Sequence, residues 1–138
     1  MMLMEAMRGS QKAIILVARQ LGVHIGPNDI PDRFKIDDRE LTTREMCDLA
    51  KSFEIKAKAT KVNETELIKL VNKKQQILQL KNGRYVIALR IVSIDEEKSV
   101  LCLDAGVSNP KPQQISIKEL EKGWNGTIIL LKPKLKLF

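Results

Sequence analysis

The chain has 138 residues, a length typical of one domain that can bury a substantial core. Hydrophobic residues make up 43% of it and charged residues 30%, which is the composition of a globular protein rather than a disordered one. No apolar run approaches the roughly 20 residues that cross a bilayer, and the N-terminus lacks the layout of a signal peptide. The net charge of +7 favours acidic partners, but aromatic residues at 4% are too few for a platform that stacks nucleic-acid bases.

The residues that could carry thiol or metal chemistry are scarce. The two cysteines, Cys47 and Cys102, are too few for a disulfide framework and fit a reducing cytoplasm. We interpret both as small core residues and His24, the single histidine, as a surface or packing residue. The same scarcity of ligands predicts no metal site.

The first predicted element is a helix over residues 10–21, with Ser10 as its N-cap and Gly22 as its stop. Its middle is apolar on nearly every side, which is typical of a helix inside a domain. A short helical turn over residues 28–34 follows.

Capping signals mark the next helices. Thr42 and Glu45 form a capping box, and Leu41 can staple against Met46. Residues 55–60 then alternate apolar residues with lysines and a threonine, which predicts a strand with one wet face. Asn63 and Glu66 cap a further short helix.

The second half of the sequence predicts an antiparallel sheet. Strands over residues 77–80 and 85–94 flank Asn82-Gly83, a strong hairpin signal. The second of these strands is apolar on both faces and is therefore expected inside the sheet. Further strands are predicted over 100–104, 114–117 and 127–131, with a helical turn over 118–122. Helices followed by an antiparallel sheet indicate the α+β class.

This order of elements and residues resembles the N-terminal peptidase-like domain of ABC transporters that export bacteriocins and RTX toxins. The resemblance runs from Gly9 to Leu131 and implies a papain-like cysteine peptidase fold, with N-terminal helices packed on a C-terminal antiparallel sheet. We expect this domain over residues 1–132 and the start of a linker, towards a possible transmembrane region, over 133–138. The matching stretches are residues 13–27, 48–58, 82–87, 103–104 and 120–131.

In active members of that family a cysteine, a histidine, an aspartate and a glutamine cut leader peptides after a double glycine. Carried onto this sequence, the nucleophile position falls at Gly9 and the base position at Tyr85. The oxyanion position falls near Leu3, which has no side-chain donor. The orienting acid alone is retained, as Asp104. The resemblance therefore implies a domain that has lost peptidase activity.

Such degenerate domains are thought to hold an unfolded secreted protein for export. The resemblance thus implies an acidic, unfolded substrate, a place at the cytoplasmic face of the bacterial inner membrane, and ATP and Mg in the parent transporter but no cofactor in this domain. The candidates for binding substrate are Tyr85, Trp124 and Asp104. Each has a structural alternative: Tyr85 as a core residue of its strand, Trp124 packed under the sheet, and Asp104 in a turn.

Two other functions remain open at this point. The chain could be an active cysteine peptidase with a displaced nucleophile, which requires Cys47 or Cys102 within reach of His24. It could also be a small basic module that binds nucleic acid by charge alone, with a steep dependence on salt.

Overall fold

The computed structural model describes residues 7–36 and 38–133, and over these residues it confirms the α+β prediction. Helices dominate the first half and strands the second. The α-helices are Gly9–Gln20 (α1), Thr43–Ser52 (α2), Glu64–Lys73 (α3) and Ile117–Gly123 (α4), with 3-10 turns at Pro27–Asp29 and Asp32–Phe34. The strands are Ile55–Lys61 (β1), Gln76–Leu80 (β2), Tyr85–Ile94 (β3), Glu97–Leu103 (β4), Gln113–Ser116 (β5) and Trp124–Pro133 (β6).

The strands form one antiparallel sheet in the order β1-β6-β2-β3-β4-β5. β3 lies inside this sheet, as its two apolar faces predict. The hairpin between β2 and β3 turns at Gly83, whose φ of 85° suits a residue without a Cβ. Because β3 and β4 are antiparallel neighbours with Ile87 opposite Leu103, the start of β3 and the end of β4 lie at the same edge of the fold.

Each face of the sheet carries its own hydrophobic cluster. One cluster joins α1 and α2 to the sheet and includes Ile14 and Ile15, both fully buried. The other joins α3 and α4 to the opposite face and includes Leu78 and Trp124. Most of α1 is buried, which confirms the prediction of an interior helix. None of the helices in the described part of the chain is long and apolar enough to cross a membrane.

The beginning of α1 differs from the prediction. The helix starts at Gly9 with Arg8 as N-cap, and no side chain of Arg8 or its neighbours caps it locally. Ser10 lies within the first turn and is fully buried. Its hydroxyl is bonded to the distant amide of Leu41 and to the side chain of the neighbouring Gln11, so it is not free to act as the predicted N-cap. Gly22, with a φ of 84°, ends the helix as expected.

The other local signals are confirmed by their hydrogen bonds. In the capping box of α2, the amide of Glu45 donates to the hydroxyl of Thr42 at 3.2 Å and the amide of Thr42 donates back to Glu45 at 2.9 Å. Asn63 and Glu66 make the same reciprocal pair at α3. Pro133, assigned to a linker from the sequence, is the last residue of β6, whereas 134–138 lie outside the described residues.

Candidate functional site

An open groove of about 970 Å³ lies at the N-terminal end of α1. Three parts of the chain form it: the start of α1, the loop that leads into α2, and the turn between β2 and β3. The loop after β4 closes the fourth side. The residues that line it are Met7, Arg8, Gly9, Arg39, Glu40, Leu41, Thr42, Gln79, Asn82, Gly83, Arg84 and Gly106.

At the nucleophile position, Gly9 packs directly against the backbone of Gly106. A Cβ on Gly9 would lie 3.0 Å from the Cα of Gly106 and 3.1 Å from its nitrogen. Real Cβ atoms essentially never come closer than this, so any side chain at position 9 requires a movement of the backbone. The loop after β4 therefore packs tightly against the position in which the Cβ of a catalytic residue would stand.

A carboxylate caps the N-terminus of α1 from a distant loop. The amide of Ser10 donates to Oε2 of Glu40 at 2.8 Å, and Oε1 of Glu40 lies 3.6 Å from the Cβ position of Gly9. The first turn of α1 has no acidic residue of its own, and Glu40 supplies the negative charge that a helix N-terminus favours. In a cysteine peptidase the partial positive charge of the helix N-terminus stabilises a thiolate. Here the same N-terminus already binds the carboxylate of Glu40.

Ser10, next to the nucleophile position, carries a hydroxyl that is fully engaged. It accepts from the amide of Leu41 at 3.0 Å and donates to Oε1 of Gln11 at 2.9 Å. The amide nitrogen of the Gln11 side chain donates in turn to the carbonyl of Phe34 at 2.8 Å. All of these bonds are buried, so Ser10 anchors the loop before α2 onto the helix and is not presented to the groove.

Tyr85, at the base position, lies beneath the groove rather than in its lining. Its side chain is 1% exposed, and its hydroxyl donates to the carbonyl of Leu41 at 2.8 Å. Gln79 donates to the same hydroxyl at 3.4 Å. Burial raises the pKa of Tyr85 well above its ordinary value, and the nearby charge of Glu40 adds to this, so the hydroxyl stays neutral at physiological pH. Tyr85 is thus a core residue of its strand, which was the structural alternative to a role in substrate binding.

Asp104 contacts two residues of the groove lining, Arg84 and Gly106, and Arg84 is a partner that sequence reasoning missed. The guanidinium of Arg84 lies 2.5 Å from Oδ2 of Asp104, and Oδ1 accepts from the amide of Gly106 at 2.9 Å. The acid that would orient an imidazole is therefore paired with an arginine and also shapes the turn after β4. The one available signal was the opposite charge of two residues at adjacent strand ends, since Arg84 immediately precedes β3 and Asp104 follows β4.

Trp124 is separated from the other candidates. It packs in the cluster on the α3 and α4 face, is 7% exposed, and its indole nitrogen donates to the carbonyl of Thr127 at 2.9 Å. Trp124 thus packs under the sheet, which was the structural alternative to a role in substrate binding. Leu3, the predicted oxyanion position, lies outside the described residues.

The thiols are placed as core residues. Cys47 lies in the α1 and α2 cluster, where burial raises its pKa, and burial raises the pKa of Cys102 in the opposite cluster to about 12. His24 is exposed and follows the C-terminal end of α1, about 18 Å along that helix from Gly9. Within residues 7–36 and 38–133, neither cysteine has a hydrogen bond to His24, and no three His, Cys, Asp or Glu side chains could hold a metal ion together.

The fold and the site together define a class. A buried helix packs on an antiparallel sheet, and its N-terminus meets the start of β3 and the end of β4, which is the layout of a papain-like cysteine peptidase domain. Residues 10–136 match the Peptidase C39 family, and the chain belongs to this family.

Individual relatives agree with this assignment. The chain is 29% identical over 125 residues to the leukotoxin translocation ATP-binding protein LktB of a Pasteurella haemolytica-like species (strain 5943B). The matched region covers 91% of this chain and 17% of LktB. It is also similar to the crystal structure of the N-terminal peptidase C39-like domain of a toxin secretion ATP-binding protein from Vibrio parahaemolyticus. That match has a TM-score of 0.71 and 19% identity, and it covers 92% of this chain and 98% of the other.

A third similar structure is a double glycine motif protease from an AMS/PCAT transporter, solved in complex with its leader peptide. Its TM-score is 0.69 at 13% identity, with 94% of this chain and 86% of that chain covered. At these identities the two solved structures establish the fold, and the chain spans about one sixth of the curated relative's length.

Proposed function

We propose that this chain is a non-cleaving C39 domain of a protein-exporting ABC transporter and that it holds an unfolded secretion substrate. One observation carries the proposal: Gly9, at the nucleophile position, is packed against Gly106 beside the carboxylate of Glu40. A thiolate or an oxyanion formed there would stand next to a negative charge, which raises its energy instead of lowering it.

The other members of the triad support the same proposal. Tyr85 holds its hydroxyl proton at physiological pH, and that hydroxyl donates to Leu41, so it does not serve as a base. Asp104 is bound to Arg84. The displaced-nucleophile alternative lacks support because both thiols are buried, with raised pKa values, and His24 follows the far end of α1.

The groove is suited to an extended polypeptide. It is open, and three of its lining residues are glycines, at positions 9, 83 and 106, so a main chain can approach the protein backbone closely. Arg39 and Arg84 in its walls are paired with Glu45 and Asp104, so these two arginines add little net charge to the groove. The overall charge of +7 attracts an acidic substrate to the domain. Unfolded ligands lose conformational entropy on binding, and we therefore expect modest affinity.

The relatives supply the wider context of the proposal. LktB is a translocation ATP-binding protein, and the AMS/PCAT domain was solved with a leader peptide bound. By analogy, this domain would belong to a transporter that binds ATP and Mg elsewhere in its chain and would lie at the cytoplasmic face of the bacterial inner membrane.

The test combines binding and cleavage in one mixture. A fluorescent peptide that contains a double glycine is titrated with the 138-residue chain, and mass spectrometry follows the peptide over hours. We expect a saturable change in anisotropy and an intact peptide. Cleavage would refute the proposal, and its loss in Cys47→Ser or Cys102→Ser would assign a displaced nucleophile.

A further inference from the structure

A second surface of the molecule is rich in lysine. Lys56 in β1 lies directly opposite Lys132 in β6, and Lys58 follows on the same face of β1. Like charges directly opposite one another in a sheet are destabilising, so the pairing of Lys56 with Lys132 has a cost to the fold. The surface, called the basic surface below, consists of Lys56, Lys58, Lys73, Lys74, Arg90 and Lys132.

Lys74 joins the strand lysines to a neighbouring groove. Its ammonium donates to the carbonyl of Leu131 at 2.9 Å, and its pKa is lowered by burial and by the charge of Lys132. Lys73, Lys74 and Arg90 line a groove of about 350 Å³ in which no aspartate or glutamate takes part. None of the ion pairs within residues 7–36 and 38–133 includes a member of the basic surface.

The basic surface is distinct from the groove at the candidate site. Its own groove is lined by Val17 and Gln20 near the C-terminal end of α1, whereas the candidate site lies at the N-terminal end. The two grooves therefore lie towards opposite ends of that helix, since Gly9 in one and Val17 in the other are about 12 Å apart along it. The proposed function does not use the basic surface, and the inference drawn from it stands independently.

We propose that the basic surface docks this chain onto an anionic lipid bilayer. Clusters of about four to eight Lys and Arg residues are typical of surfaces that bind anionic headgroups. Five of the six residues are lysines, whose hydrated point charges suit diffuse attraction more than the bidentate recognition of phosphates by arginine. The sequence after β6 continues with Lys134 and Lys136 interleaved with Leu135 and Leu137, and this combination of charge and apolar residues favours a membrane interface over an acidic polypeptide.

The experiment measures co-sedimentation of the 138-residue chain with vesicles of phosphatidylcholine, with and without phosphatidylglycerol. We expect binding only to the anionic vesicles, and we expect Lys56→Glu with Lys132→Glu to weaken it by more than roughly thirtyfold, the loss that removal of two lysine charges alone would give. The matched control is Lys111→Glu with Lys118→Glu, two exposed lysines of the β4–β5 loop and of α4, which changes the net charge equally. The control should retain most of the binding.

A single variant separates docking from folding. Lys56→Glu places opposite charges across β1 and β6, so the unfolding midpoint should rise while binding to anionic vesicles falls. A fall in both quantities would overturn the proposal. So would equal weakening by the two double variants, equal binding to neutral vesicles, or a preference for poly-glutamate or duplex DNA over anionic vesicles at matched charge.

Discussion

The guanidinium of Arg84 lies 2.5 Å from the carboxylate of Asp104, where the ends of β3 and β4 meet beside the groove. The side chains are 42% and 30% exposed, so solvent screens the pair and its contribution to stability is modest. We expect Arg84→Met and Asp104→Asn to be coupled in a double-mutant cycle by about 0.5–1 kcal/mol, measured by urea unfolding. Additive effects would show that the ion pair makes no measurable contribution to stability.

The contact between Gly9 and Gly106 gives a prediction with a diagnostic sign. Replacing a glycine by alanine within a helix normally stabilises it, but at Gly9 the new Cβ would lie 3.0 Å from backbone atoms. We expect Gly9→Ala to lower the free energy of unfolding by about 1–3 kcal/mol. Gly123→Ala in α4 is the control, because no atom lies within 4 Å of its Cβ position, and it should be neutral or stabilising. Stabilisation by Gly9→Ala would mean that the loop after β4 stands away from α1.

The ion pair at the start of α2 predicts a dependence of stability on pH. The side-chain hydrogen bond from Arg39, followed by the hydrogen bond from the amide of Thr42, lowers the pKa of Glu45 from 4.5 to about 2. A depressed pKa contributes stability above pH 4.5, and that contribution is lost as the pH falls towards 2. Glu45→Gln can keep the capping hydrogen bond but loses the charge, so it should cost about 1 kcal/mol at pH 7, after allowance for solvent screening, and only a small part of that near pH 2.

Urea unfolding across this pH range checks the prediction. Glu66→Gln is the matched control, since Glu66 holds the same position in the capping box of α3 but makes no ion pair within the described residues. A loss that is equal for the two variants, or independent of pH, would contradict the role of Arg39.

Burial of the thiols predicts their reactivity. Cys102 has its pKa raised to about 12, and the pKa of Cys47 is raised as well, so neither is expected to react with a disulfide reagent in the native protein at pH 8. Both should react after denaturation. Rapid labelling of one thiol in the native state would revive the peptidase with a displaced nucleophile.

Local signals in the sequence predicted much of the fold. The capping boxes at Thr42 and Asn63 and the turn at Asn82-Gly83 each depend on residues close in sequence, and each appears as predicted. The resemblance to the family assigned Gly9 and Asp104 to triad positions; in the structure Gly9 lines the groove, and Asp104 contacts two of the lining residues, Arg84 and Gly106.

The parts that sequence reasoning missed are contacts between distant residues. Glu40 lies 30 residues from Ser10, and Arg84 lies 20 residues from Asp104, and no periodicity relates the members of either pair. Ser10 was assigned as an N-cap because its residue type suits that role, whereas a long-range hydrogen bond from Leu41 holds it inside the first turn. Only the packed structure shows that a carboxylate and a backbone contact fill the nucleophile position.

The central claim is that the groove binds an unfolded polypeptide without cutting it, and glycine-labelled NMR tests it most directly. Of the seven glycines, Gly9, Gly83 and Gly106 line the groove, whereas Gly22 and Gly123 lie outside it. Titration with an unfolded acidic secretion protein should shift the amide signals of the three groove glycines, leave Gly22 and Gly123 in place, and leave the polypeptide intact. Shifts confined to glycines outside the groove, tighter binding of the folded form, or fragments of the polypeptide would contradict the account.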